Sequence, residues 1–143
     1  MKVLLDTNVI VDVLQNRSPW YADGQKIFYA IAQKQITGCM TAKQAADLYY
    51  FSRKQFVGEE NVDKKARSVI ARLFSLLELI DTLATDCRNA LVRDNKDYED
   101  AILIESAMRT GLDGIITRNE AHFLPSPVPS LSPSELAAML DSI

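Results

Sequence analysis

Histidine and cysteine, the usual ligands of zinc, are scarce in this sequence. Among its 143 residues there is one histidine, His122, and the two cysteines, Cys39 and Cys87, lie far apart. Cysteines at this spacing do not match a structural zinc site, and one histidine is too few for a histidine-rich site. We therefore interpret the cysteines as a reduced pair.

Long apolar runs are also absent. No stretch approaches the roughly 20 residues that a membrane span requires, and Asp6 interrupts the first apolar run too early for a signal peptide. The net charge is −3, so the overall balance does not indicate nucleic-acid binding, although an acidic metal site would subtract charge from a mixed surface. We expect one cytoplasmic domain over residues 1–143 with no membrane contact.

The signatures of several common enzyme classes are missing as well. The sequence has no P-loop lysine motif and no Ser-His-Asp or Cys-His arrangement with suitable placement. Nucleotide hydrolysis through a P-loop and covalent catalysis by a serine or cysteine are therefore disfavoured.

Short apolar runs alternate with longer helical patterns along the chain. The predicted strands are Lys2–Leu5, Ile36–Met40, Glu78–Ile80, Gly114–Thr117 and an edge strand, Val128–Leu131. The predicted helices cover residues 8–15, 19–34, 42–54, 62–77, 85–92 and 98–110, with a last helix capped by Ser132. Strands separated by helices predict an α/β fold, a three-layer α/β/α sandwich with a central parallel sheet of four or five strands.

Several carboxylate and amide side chains occupy positions where a packed domain would not normally place them. Asp6 ends the first apolar run, Asp47 lies among alanines and aromatics, and Asp100 opens an apolar helical run. Asn119 follows the fourth predicted strand. Because sites in parallel α/β sheets form beyond the carboxyl ends of the strands, all four can converge at one edge. Oxygen ligands favour Mg²⁺ or Mn²⁺ there.

Each of these acids also has an ordinary structural explanation. Asp6 can cap the helix that follows it, and Asp47 can form an ion pair with Lys43 four residues earlier. Asp97 and Asp100 lie three residues apart on one helix face, and both suit the positive end of the helix dipole. Asp100 shares its face with inward-pointing residues, so it is the better metal ligand and Asp97 a secondary one.

The segment after the fourth predicted strand carries the remaining polar candidates. Asn119 either accepts a left-handed turn or positions a water near a metal, and the two interpretations are equally supported. We interpret His122 as packing with Phe123 at a helix or loop end rather than as a general base. Five further acids are interpreted as solvated charges, with Asp12 near enough to Asp6 in sequence to approach the same cleft: Asp12, Asp94, Glu99, Asp113 and Glu120.

Three segments together resemble a known family. Residues 3–10 are similar to the opening motif of PIN-domain ribonucleases, and residues 97–102 and 115–123 resemble the third and fourth motifs of that family. The order and spacing agree, and the resemblance covers essentially the whole chain. Small single-domain members of this kind are typically VapC-type toxins of bacterial and archaeal toxin–antitoxin pairs.

The resemblance implies metal-dependent cleavage of RNA phosphodiester bonds, with Mg²⁺ or Mn²⁺ as cofactor. The first and third acidic positions map to Asp6 and Asp100, the predicted metal ligands, with Asp47 and Asp97 secondary. Asp47 replaces the usual glutamate and is one methylene shorter, and Asn119 at the fourth position adds no charge. The predicted catalytic set is Asp6, Asp47, Asp100 and Asn119. An RNA substrate, a cognate antitoxin and a homodimer are implied with it.

Cations and aromatic residues near these acids are candidates for RNA contact. The predicted substrate contacts are Asn8, Thr117 and Arg118, and the other basic residues near the site in sequence are Arg17, Arg53, Lys54 and Arg93. Tyr49, Tyr50 and Trp20 have the chemistry to stack on bases, although packing is the more ordinary role for each. Helices 21–34 and 41–54 carry aromatic surface for a protein partner.

Two other functions remain open. Weakened ligands at positions 47 and 119 are compatible with a catalytically weak or inactive module that binds RNA or protein. An aspartate-nucleophile phosphohydrolase of the haloacid dehalogenase type would use Asp6. It needs a second aspartate two positions later, where Asn8 stands, and is the less favoured alternative.

Overall fold

Five parallel strands form the centre of the molecule. The computed structural model describes residues 1–142, and within them the strand order is β3–β2–β1–β4–β5. The strands are β1 (Lys2–Leu5), β2 (Thr37–Thr41), β3 (Glu78–Ile80), β4 (Gly114–Ile116) and β5 (Ser130–Leu131). The predicted α/β/α fold with a parallel sheet is therefore confirmed.

Helices cover both faces of this sheet. They are α1 (Thr7–Leu14), α2 (Tyr21–Ala32), α3 (Ala42–Gln55), α4 (Val62–Leu76), α5 (Ala84–Ala90), α6 (Tyr98–Arg109) and α7 (Pro133–Asp141). A short 3₁₀ helix follows β4 over Glu120–Phe123. Among residues 1–142, none of the helices combines the length and the apolar character needed to cross a membrane.

The start of α2 differs from its prediction. Ser18 and Pro19 were expected at the N-cap and the first helical position, but residues 18–20 form a separate turn and α2 begins at Tyr21. The Tyr21 amide donates to the carbonyl of Arg17 at 2.8 Å, which links this turn to the helix. The Ser-Pro signal therefore marks the turn before the helix rather than the helix itself.

Alternation along the strands divides the core into two layers. Val3 and Leu5 belong to one buried cluster, whereas Leu4 between them belongs to the cluster on the other face of the sheet. Successive strand residues point to opposite faces, so a strand covered on both sides has to be apolar at every position. Cys39 and Cys87 form no disulfide with each other, as predicted.

The register of the strands places the polar residues of the site side by side. Leu5 pairs with Ile116 in the sheet, so the residues that follow them, Asp6 and Thr117, are neighbours beyond the strand ends. The Asp6 amide donates to the Ile116 carbonyl at 2.9 Å, which continues the pairing by one step. The carboxyl edge of the sheet therefore begins with a carboxylate and a hydroxyl in contact.

Candidate active site

Asp6 is a buried carboxylate held by two donors. Its Oδ1 accepts from the Thr7 amide at 2.7 Å, as an N-cap residue does, and its Oδ2 accepts from the Thr117 hydroxyl at 2.8 Å. Burial raises its pKa, against the effect of these hydrogen bonds and of the nearby charges of Arg118 and His122. The predicted cap is confirmed. The hydrogen bonds and nearby charges offset only part of the cost of burying the ionised Asp6 side chain.

Thr117 orients Asp6 and does not face the solvent. Its side chain is fully buried, and its hydroxyl donates to Asp6 and accepts from the Asn119 amide at 2.9 Å. The predicted contact of Thr117 with substrate is therefore wrong, because no surface of this residue is available. Asn119 is exposed at the cavity, and its φ of −115° excludes the left-handed turn considered for it.

Asp100 lies in the first turn of α6, three residues after Asp97, which caps the helix. The Oδ1 atom of Asp97 accepts from the Asp100 amide at 3.1 Å, which confirms the helix-end role expected for Asp97. Burial, and then the charges of Asp6 and Asp97, raise the pKa of Asp100 to about 6, with His122 acting in the opposite direction. The charge of Asp6 thus opposes ionisation of Asp100, and the neighbouring donors do not offset the burial of either carboxyl group.

His122 is part of the site, and its predicted packing role is wrong. Its Nδ1 lies 3.0 Å from Oδ2 of Asp100, and 42% of its side chain is exposed. The 3₁₀ helix that carries it buries Phe123 completely and turns the imidazole to the cavity instead. Asn95 donates to the carbonyls of His122 and Pro125, at 3.4 and 3.2 Å, and so holds this segment in place.

Asp47 lines the same cavity but has a cation of its own. Lys43 Nζ lies 2.5 Å from Oδ2 of Asp47 and 3.4 Å from Oε2 of Glu99. The ion pair expected at this helical spacing is therefore present. Asp47 keeps its place at the cavity wall, where its charge is shared with Lys43.

Gln44 is a positioning residue that the sequence reasoning missed. Its fully buried amide donates to the Leu5 carbonyl at 2.8 Å and to the Thr7 hydroxyl at 3.2 Å, and its oxygen accepts from the Thr41 amide at 2.8 Å. Gln44 thereby fixes α3, and Asp47 one turn further on, against the end of β1. The Thr-x-x-Gln pattern of a capping box at residues 41–44 was the available signal.

Asp12 is buried, which contradicts its interpretation as a solvated charge. Its side chain is 2% exposed, and the Nε and Nη2 atoms of Arg118 donate to it at 2.7 and 3.2 Å. The Arg118 guanidinium also stacks on Trp20, 3.8 Å from the ring centroid. Arg118 therefore contacts Asp12 and Trp20 in the free protein, and its contact with substrate stays a prediction. Arg93 pairs with Glu105 instead of the site.

These side chains surround a cavity of about 470 Å³. Its walls include Asp6, Asn8, Arg17, Lys43, Asp47, Tyr50, Phe51, Lys54, Asp97, Glu99, Asp100, Asn119 and His122. All four predicted catalytic residues are in this set, and so is the predicted substrate contact Asn8. These residues therefore lie together, at the starts of α1 and α6, along α3 and in the segment after β4.

The oxygen donors of the cavity fit a hard divalent cation. Within residues 1–142, no three carboxylate, histidine or cysteine side chains lie close enough together to form a complete metal-binding group. Mg²⁺ usually keeps several waters and is held by one or two carboxylates, and Asp6 and Asp100 are the two that would hold it here. Among the described residues, the buried Oδ1 of Asn8 has no hydrogen-bond partner, which adds an unmatched oxygen at the cavity wall.

The sequence matches the PIN domain family over residues 2–121. This match covers most of the chain, so the protein belongs to the PIN domain family, as its motifs predicted. No curated protein sequence matches the chain.

Solved structures of toxin–antitoxin proteins share the fold. A DNA-bound VapBC complex from Salmonella typhimurium superposes with a TM-score of 0.66 at 20% identity, over 93% of this chain and 98% of that chain. A toxin–antitoxin complex from Klebsiella pneumoniae gives 0.63 at 20%, over 92% and 97%. The sarcin–ricin-loop-cleaving toxin VapC20 of Mycobacterium tuberculosis gives 0.63 at 11%, over 87% and 95%.

Proposed function

We propose that this PIN domain is a divalent-metal-dependent endoribonuclease that hydrolyses RNA phosphodiester bonds. The observation that carries the proposal is that Asp6 and Asp100 line one cavity, where burial raises the pKa of both carboxyl groups and the charge of Asp6 raises that of Asp100 further. Two uncompensated carboxylates destabilise the free protein, and a bound cation relieves that cost. The same cation lets an anionic phosphate enter an anionic cavity.

The residues of the chain have distinct roles in this proposal. Asp6 and Asp100 would hold Mg²⁺ or Mn²⁺, with Thr117 fixing the orientation of Asp6. The bound ion would supply a nucleophile at neutral pH by lowering the pKa of water, and it would polarise the phosphate. Asn119 and Asn8 present amide groups to the substrate side of the cavity, and Asp47 with Asp97 adds outer carboxylate charge.

Titration of RNA cleavage with Mg²⁺ and Mn²⁺ tests this proposal. Loss of an outer-sphere partner of a metal site lowers activity by about 10- to 100-fold. Because Asp6 and Asp100 are the proposed direct ligands, we expect Asp6→Asn and Asp100→Asn each to lower cleavage by more than this. Asp113→Asn is the matched control, because Asp113 is an exposed acid that precedes β4 at the opposite edge of the sheet. Unchanged cleavage in both site variants would reject the assignment.

We further propose that the protein is the toxin of a type II toxin–antitoxin pair, acting in the cytoplasm as a homodimer. The proposal is supported by family membership and by a fold shared with the VapBC and toxin–antitoxin complexes described above. One of the similar proteins is described as cleaving the sarcin–ricin loop, an RNA target. A cognate antitoxin is the protein partner that this proposal requires.

A catalytically weak RNA- or protein-binding module is the second candidate. The Lys43–Asp47 ion pair favours it, because it neutralises the acid that stands at the usual glutamate position. RNA binding without metal-dependent cleavage, together with unchanged binding in Asp100→Asn, would support this alternative over the nuclease.

A further inference from the structure

One face of helix α3 extends away from the cavity carboxylates, and its side chains change in character along the helix. Asp47, Tyr50, Phe51 and Lys54 all line the cavity, and their spacing of three, four and seven residues puts them on one side of the helix. Seven residues of helix span about 10 Å. The face thus passes from an acid, through two aromatic rings, to a cation.

A second depression continues the cavity in the same direction. It has a volume of about 420 Å³ and shares Arg17, Phe51 and Lys54 with the cavity of the site. The two therefore form one groove, with acids at one end and cations at the other. Arg17 lies across the groove from α3, in the segment between α1 and α2.

The cations at the far end of the groove carry more charge than the nearby carboxylates neutralise. Among residues 1–142, Lys54 has no carboxylate within ion-pair distance, and its nearest aromatic contact is Phe51, with Nζ 6.0 Å from the ring centroid. Arg17 lies 3.9 Å from Asp12, whose charge Arg118 already matches at 2.7 Å. Two arginines thus share one buried aspartate, which leaves a net positive charge beside the groove.

Tyr50 supplies an exposed ring between the two ends. It is 63% exposed and packs edge-on against Tyr49, with the ring centroids 5.5 Å apart. Phe51, by contrast, also packs against the core from its partly buried position. Tyr50 therefore has a free aromatic face of the kind on which nucleobases stack.

We propose that this groove binds the nucleotides that flank the scissile phosphate, with Arg17 and Lys54 contacting backbone phosphates and Tyr50 stacking on a base. The inference rests on the proposed ribonuclease function and adds the path of the single strand to it. Charge complementarity carries the choice of occupant, because a polyanion whose scissile phosphate sits at the acidic end requires cations further along. Arg118, held by Asp12 and Trp20, takes no part in this contact.

The salt dependence of RNA binding tests the proposal without relying on catalysis. In an Asp6→Asn background, we would measure the affinity for a fluorescent single-stranded RNA by anisotropy over a range of KCl concentrations. Loss of one phosphate contact lowers the slope of log Kd against log salt by about 0.7 for a single strand. Lys54→Gln and Arg17→Gln should each show that change. Tyr50→Ala should weaken binding by at least about fivefold, and Tyr50→Phe should not.

Lys34→Gln is the matched control, with the same change in charge at the opposite, amino-terminal edge of the sheet, in the turn before β2. Equal slopes for Lys54→Gln, Lys34→Gln and the parent would overturn the proposal while leaving the nuclease assignment intact. The proposal would also be overturned if Lys54→Gln left the salt dependence of RNA binding unchanged but weakened the binding of polyglutamate. That result would assign the groove to an acidic protein segment. Absence of metal-dependent cleavage in the wild type, by contrast, rejects the proposed function itself.

Discussion

Asp100 is an aspartate whose surroundings oppose its charge. Its pKa of about 6 lies above the usual value because of burial, Asp6 and Asp97, so folding favours the neutral carboxyl group. Its contribution to stability is therefore complete below the unfolded-state pKa of about 4 and is lost as the pH rises through about 6. Metal-free protein carries this cost at neutral pH.

We expect Asp100→Asn to stabilise the metal-free protein by about 2 kcal/mol at about pH 8 and by less than about 0.5 kcal/mol at about pH 3.5. Asparagine lacks the repelled charge, whereas the wild-type residue is mostly neutral at the lower pH. Urea unfolding at both pH values measures the difference. Added Mg²⁺ should reduce the difference in free energy of unfolding between the variant and the wild type at the higher pH. An equal difference at both pH values would contradict the role assigned to the Asp100 charge.

The residues missed from sequence have partners that are distant along the chain. Asp12 is matched by Arg118 and Gln44 by Leu5, contacts that no local pattern encodes. Asp6 and Asp100 were found because each interrupts an apolar run at the end of a strand or the start of a helix. A buried charged residue can thus be predicted from sequence when it lies beside an apolar run, whereas its partner can be identified only from the folded structure.

At the scale of elements, α5 and α6 are joined by a third buried aspartate, Asp86. Asp86 accepts from Arg109 Nη2 at 3.0 Å, from Ser106 Oγ at 2.9 Å and from the Leu83 amide at 3.0 Å. Burial alone would raise its pKa, but the Arg109, Leu83 and Ser106 hydrogen bonds and the Arg109 charge outweigh burial and lower it. This carboxylate therefore stabilises the helix pair in its charged form.

We expect Asp86→Asn to destabilise the protein by about 2–4 kcal/mol at neutral pH, because it leaves Arg109 without its buried partner. The stability from Asp86 is present above the unfolded-state pKa of about 4 and is lost as the pH falls through the lower folded-state pKa. The difference from wild type should therefore shrink in acid, as measured by urea unfolding. Exposed Asp81→Asn is the control, expected within about 0.5 kcal/mol of wild type.

The element boundaries were predictable where a side chain caps the helix. Thr41, Asp97 and Ser132 accept from backbone amides at the starts of α3, α6 and α7, and those starts were anticipated. The start of α2 was not, because Trp20 precedes it without a side-chain cap. The parallel direction of the strands was predictable from their alternation with helices, since consecutive parallel strands require a crossover connection.

At the scale of the whole molecule, the proposed toxin function makes a prediction about cells. Expression of the wild-type chain in its native host should arrest growth, because RNA cleavage stops protein synthesis, and co-expression of the cognate antitoxin should relieve the arrest. Asp6→Asn, produced at the same level, should cause none. Growth curves with matched immunoblots check this, and an arrest that persists in Asp6→Asn would assign it to something other than the site.

The position of β1 between β2 and β4 has a consequence for protein synthesis. Asp6 leaves the ribosome more than a hundred residues before its hydrogen-bond partner Thr117. His122, which contacts Asp100, follows later still. A nascent chain therefore cannot assemble the carboxylate site until β4 and the segment after it have emerged, and a fragment that ends earlier lacks the hydroxyl that orients Asp6.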